Sequence, residues 1–496
     1  MGISCSPNIT AKDDFGIPIS ELEDGDGSRK MVIGYSDDGS RHARARRRDS
    51  ADQDVALADD EHVDVDTGLA GLGPARESDG EPWVDVHVHV DESEGTTIDP
   101  TGPVSTTLWF GVASRVADLV TREMQGSLFG YEIDMSILTM PPLCPGNAHY
   151  LDMIDEEFLA ACVASGSGND LEYVGGGGTL NLMMQEYEAL AGVEVLKLAR
   201  IASDFETEAG NIARNGAKGF GEFSLLHVSA NNRDNPYIKI EADNPLLLLL
   251  VEEAYAVYGV PVVDIHMEIV PCDVQTRALR EANGNLAKLW SHVPPPSGNA
   301  NPEHLLENWS SFAELVAYAH NCGGETKIVL EHVGQAMVLQ EWIFNAGCTD
   351  ANGLAIDEDW LPDQIYALLT DHPDSVYFAL KWNTDDKRFN MWNFFEDPAA
   401  AAAAWASGGG FMAATTGAPP AWKLRDRWFD VFYDFPDNFM MGSDESFPDQ
   451  TRDARTGENR GTFRFLVWVV AANFGLTKRG CLEKFGFENA RRVYGI

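Results

Sequence analysis

Residues 84–90 read VDVHVHV, with valine at every second position and Asp85, His87 and His89 between. Successive side chains of a β-strand point to opposite faces. The pattern therefore predicts a strand with Asp85, His87 and His89 on one face and Val84, Val86, Val88 and Val90 on the other. Seven more stretches carry a strand-like apolar pattern: 131–140, 193–202, 217–226, 260–269, 326–334, 375–382 and 438–445. Helical spacing of apolar residues marks 106–126, 243–259, 301–323 and 422–435. The second of these has a complete set of end signals, with Asn244 as N-cap, Pro245 in the first turn and Gly259 as the stop. The third repeats the Asn-Pro opening and the Gly ending.

Strands alternating with helices imply parallel βαβ units. Eight such units predict an α/β chain folded as a closed (β/α)8 TIM barrel. An open doubly wound sheet is the rival, but it usually carries a Gly-rich nucleotide turn after its first strand, and this chain has none there. The barrel is expected over 81–496. Residues 1–80 are rich in Asp, Gly, Ser and Arg and lack long apolar periodicity, which predicts a flexible low-complexity extension. Its basic run RHARARRRD (41–49) is followed by acidic residues at 54–66, so it reads as self-screened and solvated. Loop insertions are expected as well. The glycine-rich 165–178 predicts a flexible loop, and it leads into no phosphate-binding Lys-Ser or Lys-Thr. The alanine run within 399–410 predicts a low-complexity insertion that is partly helical at most.

Composition narrows the partners. The formal net charge is -42, from 78 acidic against 36 basic residues, so a nucleic-acid backbone would be repelled. The surplus suits solubility and raises a halophilic source as one explanation. No apolar run reaches the ~18 residues of a membrane span. MGISCS fits the loose myristoylation pattern through Gly2 and Ser6, but so short a pattern is met by chance. Seven cysteines without a CxxC pair predict reduced, mostly buried thiols and a cytoplasmic protein. A small-molecule substrate is the expected partner, and a homo-oligomer is compatible with the chain.

A barrel places its chemistry at the C-terminal strand ends, and ionisable residues gather there. His87 and His89 close the first predicted strand, Glu222 lies near the end of the fourth, His266 of the fifth and His332 of the sixth. Lys381 closes the seventh and Asp444 the eighth. Each has a bland reading: a satisfied histidine, a buried carboxylate paired with Arg, a loop cap, or, for Lys381, a salt bridge. Four histidines and two carboxylates at strand ends are hard to place by chance, and burying them would be costly without a metal ion to bind.

These stretches resemble the amidohydrolase superfamily, metal-dependent hydrolases on a (β/α)8 barrel. VDVHVHV is similar to its HxH opening, DIHMEI and VLEHVG to its histidines on strands five and six, and FMMGSDE to its strand-eight aspartate. LEKFGFENARRVYGI (482–496) resembles the closing helix of the amidohydrolase-related branch. The similarity runs in order over 83–496. Many binuclear members carry a carboxylated lysine on strand four. Here Lys218 lies too near the strand start, and Glu222 resembles the bridging glutamate of TatD-like members instead.

The resemblance implies one or two divalent ions, Zn2+ first among them. A one-metal set comprises His87, His89, His266 and Asp444. In a two-metal set His87, His89 and Asp444 hold one ion, His266 and His332 the other, and Glu222 bridges. It further implies a metal-dependent hydrolase that cleaves an amide, ester or lactone bond with a metal-activated water. Asp444 would accept the proton, His332 would polarise the carbonyl, and Lys381 would hold a substrate carboxylate. Asp85 and Asp264 would orient ligands from a deeper layer or pair with buried basic residues. The alternatives are a mononuclear decarboxylase or hydratase of a small carboxylated substrate, and a non-catalytic barrel scaffold.

Overall fold

The structure is a computed structural model. It describes residues 83–90, 133–139, 159–160, 163–164, 171–192, 194–226, 239–275, 304–333, 348–350, 352–381, 394–406, 422–443, 445–447, 466, 469–470, 473–474 and 479–496. The 1–80 extension, Gly2 and Ser6, the predicted helix 106–126 and Asp444 lie outside them.

Eight parallel strands alternate with helices in a nearly closed barrel. They are β1 (Trp83–Val90), β2 (Ile133–Thr139), β3 (Leu171–Gly176), β4 (Gly219–Leu226), β5 (Val262–Met267), β6 (Lys327–Val333), β7 (Val376–Leu380) and β8 (Phe439–Met441). A short β9 (Glu445–Phe447) continues the last strand. Every neighbouring pair from β1 to β8 is parallel. The closing strand changes partner midway: β8 pairs with β7, while β9 pairs with β1 in the register Val88–Glu445.

Two strand predictions exchange places. The valines and leucines of 193–202 predict a strand, but 195–202 belong to a helix, Val195–Arg214. Its buried residues Leu198, Ile201, Ala202, Phe205, Ala209 and Ile212 recur at helical spacing, and this longer period decides the outcome. The third strand is instead LEYVGG, inside the stretch read as a flexible loop. Its glycines join the sheet, Gly175 opposite Phe220 and Gly176 opposite Gly221.

Helix ends show similar tertiary control. Pro245–Ala256 starts as predicted, with the Asn244 side chain accepting from Leu246 N at 2.9 Å. The helix expected from 301 starts only at Trp309. Asn308 just before it does not cap through its side chain. Its amide donates to Glu268 O at 2.9 Å and its Oδ1 accepts from Val270 N at 2.8 Å, which fastens the helix to the segment after β5. The alanine run forms a helix, Pro398–Ala406.

The strands separate two apolar layers. Phe220, Val263, Ile265, Ile328, Leu330, Phe378 and Leu380 pack outward against helix residues such as Leu246, Phe312 and Leu369. Val84, Ile137, Val174, Val262, Val329, Tyr377 and Met440 alternate with them and form the inner layer, which Ala490, Val493 and Tyr494 complete. The closing helical segment 479–494 thus plugs the N-terminal end of the barrel, where Lys327 Nζ donates to Val493 O at 3.3 Å. The valines of β1 do not share one face. Val84 and Val86 join the inner layer and Val88 the outer, because the register against β2 shifts between Asp85 and Val88.

The cysteines also depart from expectation. Cys272, after β5, forms a disulfide with Cys348, with Cα atoms 6.2 Å apart and a sequence separation of 76. It links the segments that follow β5 and β6. Among the described residues, no helix is long and apolar enough to cross a membrane.

Candidate metal centre

Four strands bring a ring of histidines around one carboxylate. Glu222 on β4 is fully buried. Its Oε1 lies 2.7 Å from His266 Nδ1, 3.1 Å from His332 Nε2 and 3.7 Å from His87 Nε2. The His332 ring stands edge-on to both others, with centroids 4.7 Å apart in each pair. Donor atoms of His87, Glu222 and His332 all lie within 4.8 Å of one another. His266 joins this group through Glu222.

Local backbone devices make this convergence possible. Gly221 has φ +140°, and a Cβ there would stand 2.5 Å from Asp264 O. Only glycine therefore lets β4 approach β5 beside Glu222. On β6 strict alternation would turn Glu331 inward and His332 outward. His332 has φ +63°, a left-handed value uncommon outside glycine, and both residues face the barrel interior.

Two further carboxylates complete the ring. Glu331 Oε2 lies 3.5 Å from His87 Nδ1, and Glu268 Oε2 lies 3.3 Å from His266 Nε2. The sequence reading missed both. For Glu268 a signal existed, since it follows His266 by two residues. For Glu331 the signal competed with the adjacent His332.

Electrostatics follow from this packing. Burial pushes the Glu222 carboxyl up, but His266, His87 and the hydrogen bonds from His266 and His332 hold it well below the usual range. Burial would lower His266, yet Glu268 and Glu222 push its imidazole up to about 10. Three imidazoles and a buried carboxylate converging from separate strands form a donor set suited to a divalent transition ion. A buried His-Glu-His cluster can therefore hold a metal ion here.

The deeper aspartates accept hydrogen bonds from hydroxyls on other segments. Asp85 Oδ1 accepts from His87 N at 3.3 Å and Ser443 N at 2.8 Å, and Oδ2 accepts from Ser443 Oγ. It stitches the barrel seam where the last strand passes from β7 to β1. Asp264 accepts from Tyr494 OH at 3.0 Å. Its carboxyl is pushed well up by burial and by Glu222, against the effect of that hydrogen bond.

The remaining sequence candidates fall as follows. Lys381 is buried directly after β7, with its backbone N–H donating to Val333 O at 3.4 Å. Lys218 stays at the strand start, 3.6 Å from Glu172. The backbone of His89 pairs with Thr139 and Ser446, while its side chain lies outside the described residues. Asp444 is likewise outside, next to the anchored Ser443. Comparison of the chain with protein-family models, curated proteins and solved structures returned no match.

Proposed function

We propose that the chain is a metal-dependent hydrolase of amidohydrolase type that cleaves an amide, ester or lactone bond of a small molecule. The observation that carries this reading is the buried Glu222 oxygen within reach of three imidazoles at the C-terminal strand ends. A non-catalytic scaffold has no use for such a set, whose burial is costly.

When bound, a divalent ion, with Zn2+ the first choice, supplies Lewis acidity and a water ionised near neutral pH. His87, His332 and Glu222 would hold it, with His266, His89 and Asp444 as further ligands. Asp444 would take the water proton at its carboxylate and return it to the leaving group. His332 Nε2, where it is not engaged as a ligand, would polarise the scissile carbonyl. The Lys381 ammonium would hold a carboxylate of the substrate, a role that also fits the decarboxylase alternative. The cytoplasmic placement expected from the cysteines loses its basis, since a Cys272–Cys348 disulfide favours an oxidising compartment.

Elemental analysis of the purified protein tests the reading. The wild type should carry a divalent ion, and His87→Ala combined with His332→Ala should lose it while keeping its circular dichroism. A panel of amides, esters, lactones and aryl carboxylates then separates hydrolysis from decarboxylation. A metal-free wild type that takes up no added ion would overturn the proposal.

A further inference from the structure

We infer that Glu331 is a positioning residue that sets which nitrogen of His87 is presented to the metal, an inference that rests on the metal-centre reading above. The His87 ring is held between two carboxylates from different strands. Nε2 faces Glu222 Oε1 at 3.7 Å, on the side where the His87, Glu222 and His332 donors converge. Nδ1 faces Glu331 Oε2 at 3.5 Å. Both carboxylates are fully buried.

The surroundings are shaped for that carboxylate. A Cβ on Gly442 would stand 3.3 Å from Glu331 Oε2, 3.2 Å from His87 Cβ and 2.8 Å from Ala379 Cβ. Gly442, directly after β8, therefore leaves space where a larger residue would press on Ala379 of β7, His87 and Glu331. The backbone of His87 is fixed independently through Asp85, so Glu331 governs the ring rather than the strand.

An imidazole that gives its second N–H to a carboxylate keeps one tautomer and becomes a more basic ligand. At 3.5 Å the contact is an ion-pair distance, and closing it to a hydrogen bond needs a shift of roughly 0.5 Å. With its proton on Nδ1 beside Glu331, His87 keeps the Nε2 lone pair for the donor cluster. Loss of such an outer partner typically weakens metal affinity by about 10–100-fold.

Two variants of the full-length chain test this. Glu331→Gln keeps the shape and an acceptor oxygen, and Glu331→Met keeps the shape alone. Zn2+ affinity is read by chelator competition. The His87 ring nitrogens are read by 15N–1H correlation on metal-free protein, assigned with His87→Gln. The expected result is a Zn2+ affinity about 10–100-fold weaker in Glu331→Met and less weakened in Glu331→Gln. The protonated Nδ1 signal should be lost or split in Glu331→Met. A purely structural role would lower thermal stability without moving that signal. Unchanged affinity in both variants, or an unchanged Nδ1 signal, overturns the inference. If the wild type binds no Zn2+, the metal-centre reading fails, and the ring signal still decides the role of Glu331.

Discussion

Replacing His266 with Gln in chelator-treated protein should remove stability that is present at neutral pH and absent in strong alkali. His266 is buried between Glu268, 3.3 Å from Nε2, and Glu222, 2.7 Å from Nδ1. Burial works against its charge, but the two carboxylates prevail and hold its pKa at about 10, against 6.5 for an ordinary histidine. A folded-state value above the unfolded one means stabilisation that is complete below pH ~6.5 and lost as pH rises through ~10. At 1.36 kcal/mol per unit, the shift corresponds to ~5 kcal/mol. Urea unfolding of wild type and His266→Gln at pH 6.5, 8, 9.5 and 10.5 reads this, because titrating groups that do not touch His266 cancel in the difference and its partners Glu222 and Glu268 titrate with it. The gap should be near ~5 kcal/mol at pH 6.5 and shrink to ~1 kcal/mol or less at pH 10.5. A gap independent of pH would refute the reasoning, since it would mean that His266 carries no extra proton between these carboxylates. Adding back an ion that binds through His266 should flatten the wild-type profile, because the metal takes the place of the proton.

Other perturbations reach different parts of the molecule. Replacing both Cys272 and Cys348 with Ala opens a loop of 76 residues, which the chain-entropy account values at about 4.5 kcal/mol. Denaturant unfolding of the double variant checks this, and a loss under ~1 kcal/mol would show that the loop is held by other means. The net charge of -42 predicts a melting temperature that rises with KCl at constant pH, since salt screens like charges over ~10 Å at 0.1 M; a flat or falling curve in differential scanning calorimetry would contradict it. If Glu222 bridges two ions, metal titration should saturate near ~2 equivalents and fall toward ~1 in Glu222→Gln. Saturation of the wild type at one equivalent, unchanged in the variant, would remove the bridge.

What could be read from sequence, and what could not, divides along a physical line. Period-two alternation with polar residues at the strand ends located β1, β4, β5 and β6, and with them His87, Glu222, His266 and His332. Such residues are informative because burying them demands a compensating partner. Alternation fails where the backbone leaves its regular path. It assigns Val329, Glu331 and Val333 of β6 to one face and His332 to the other, so it can select Glu331 or His332 but not both. The φ of +63° at His332 turns both inward and sends Val333 to the outer layer. The register shift in β1 divides its valines for the same kind of reason. In the third unit the glycines of LEYVGG hid a strand, and the valines at 193 and 195 hid a helix, because tertiary packing outweighs local propensity. Partners distant in sequence left no local trace: the Asp85–Ser443 seam spans 358 residues and the Tyr494–Asp264 contact 230. The donors of the centre are thus visible one strand at a time, whereas the groups that hold those donors in place appear only when the barrel closes. The outer groups, Glu331, Glu268, Asp85 and Tyr494, are therefore where substitution should alter metal affinity and ring orientation while leaving the donor set itself complete.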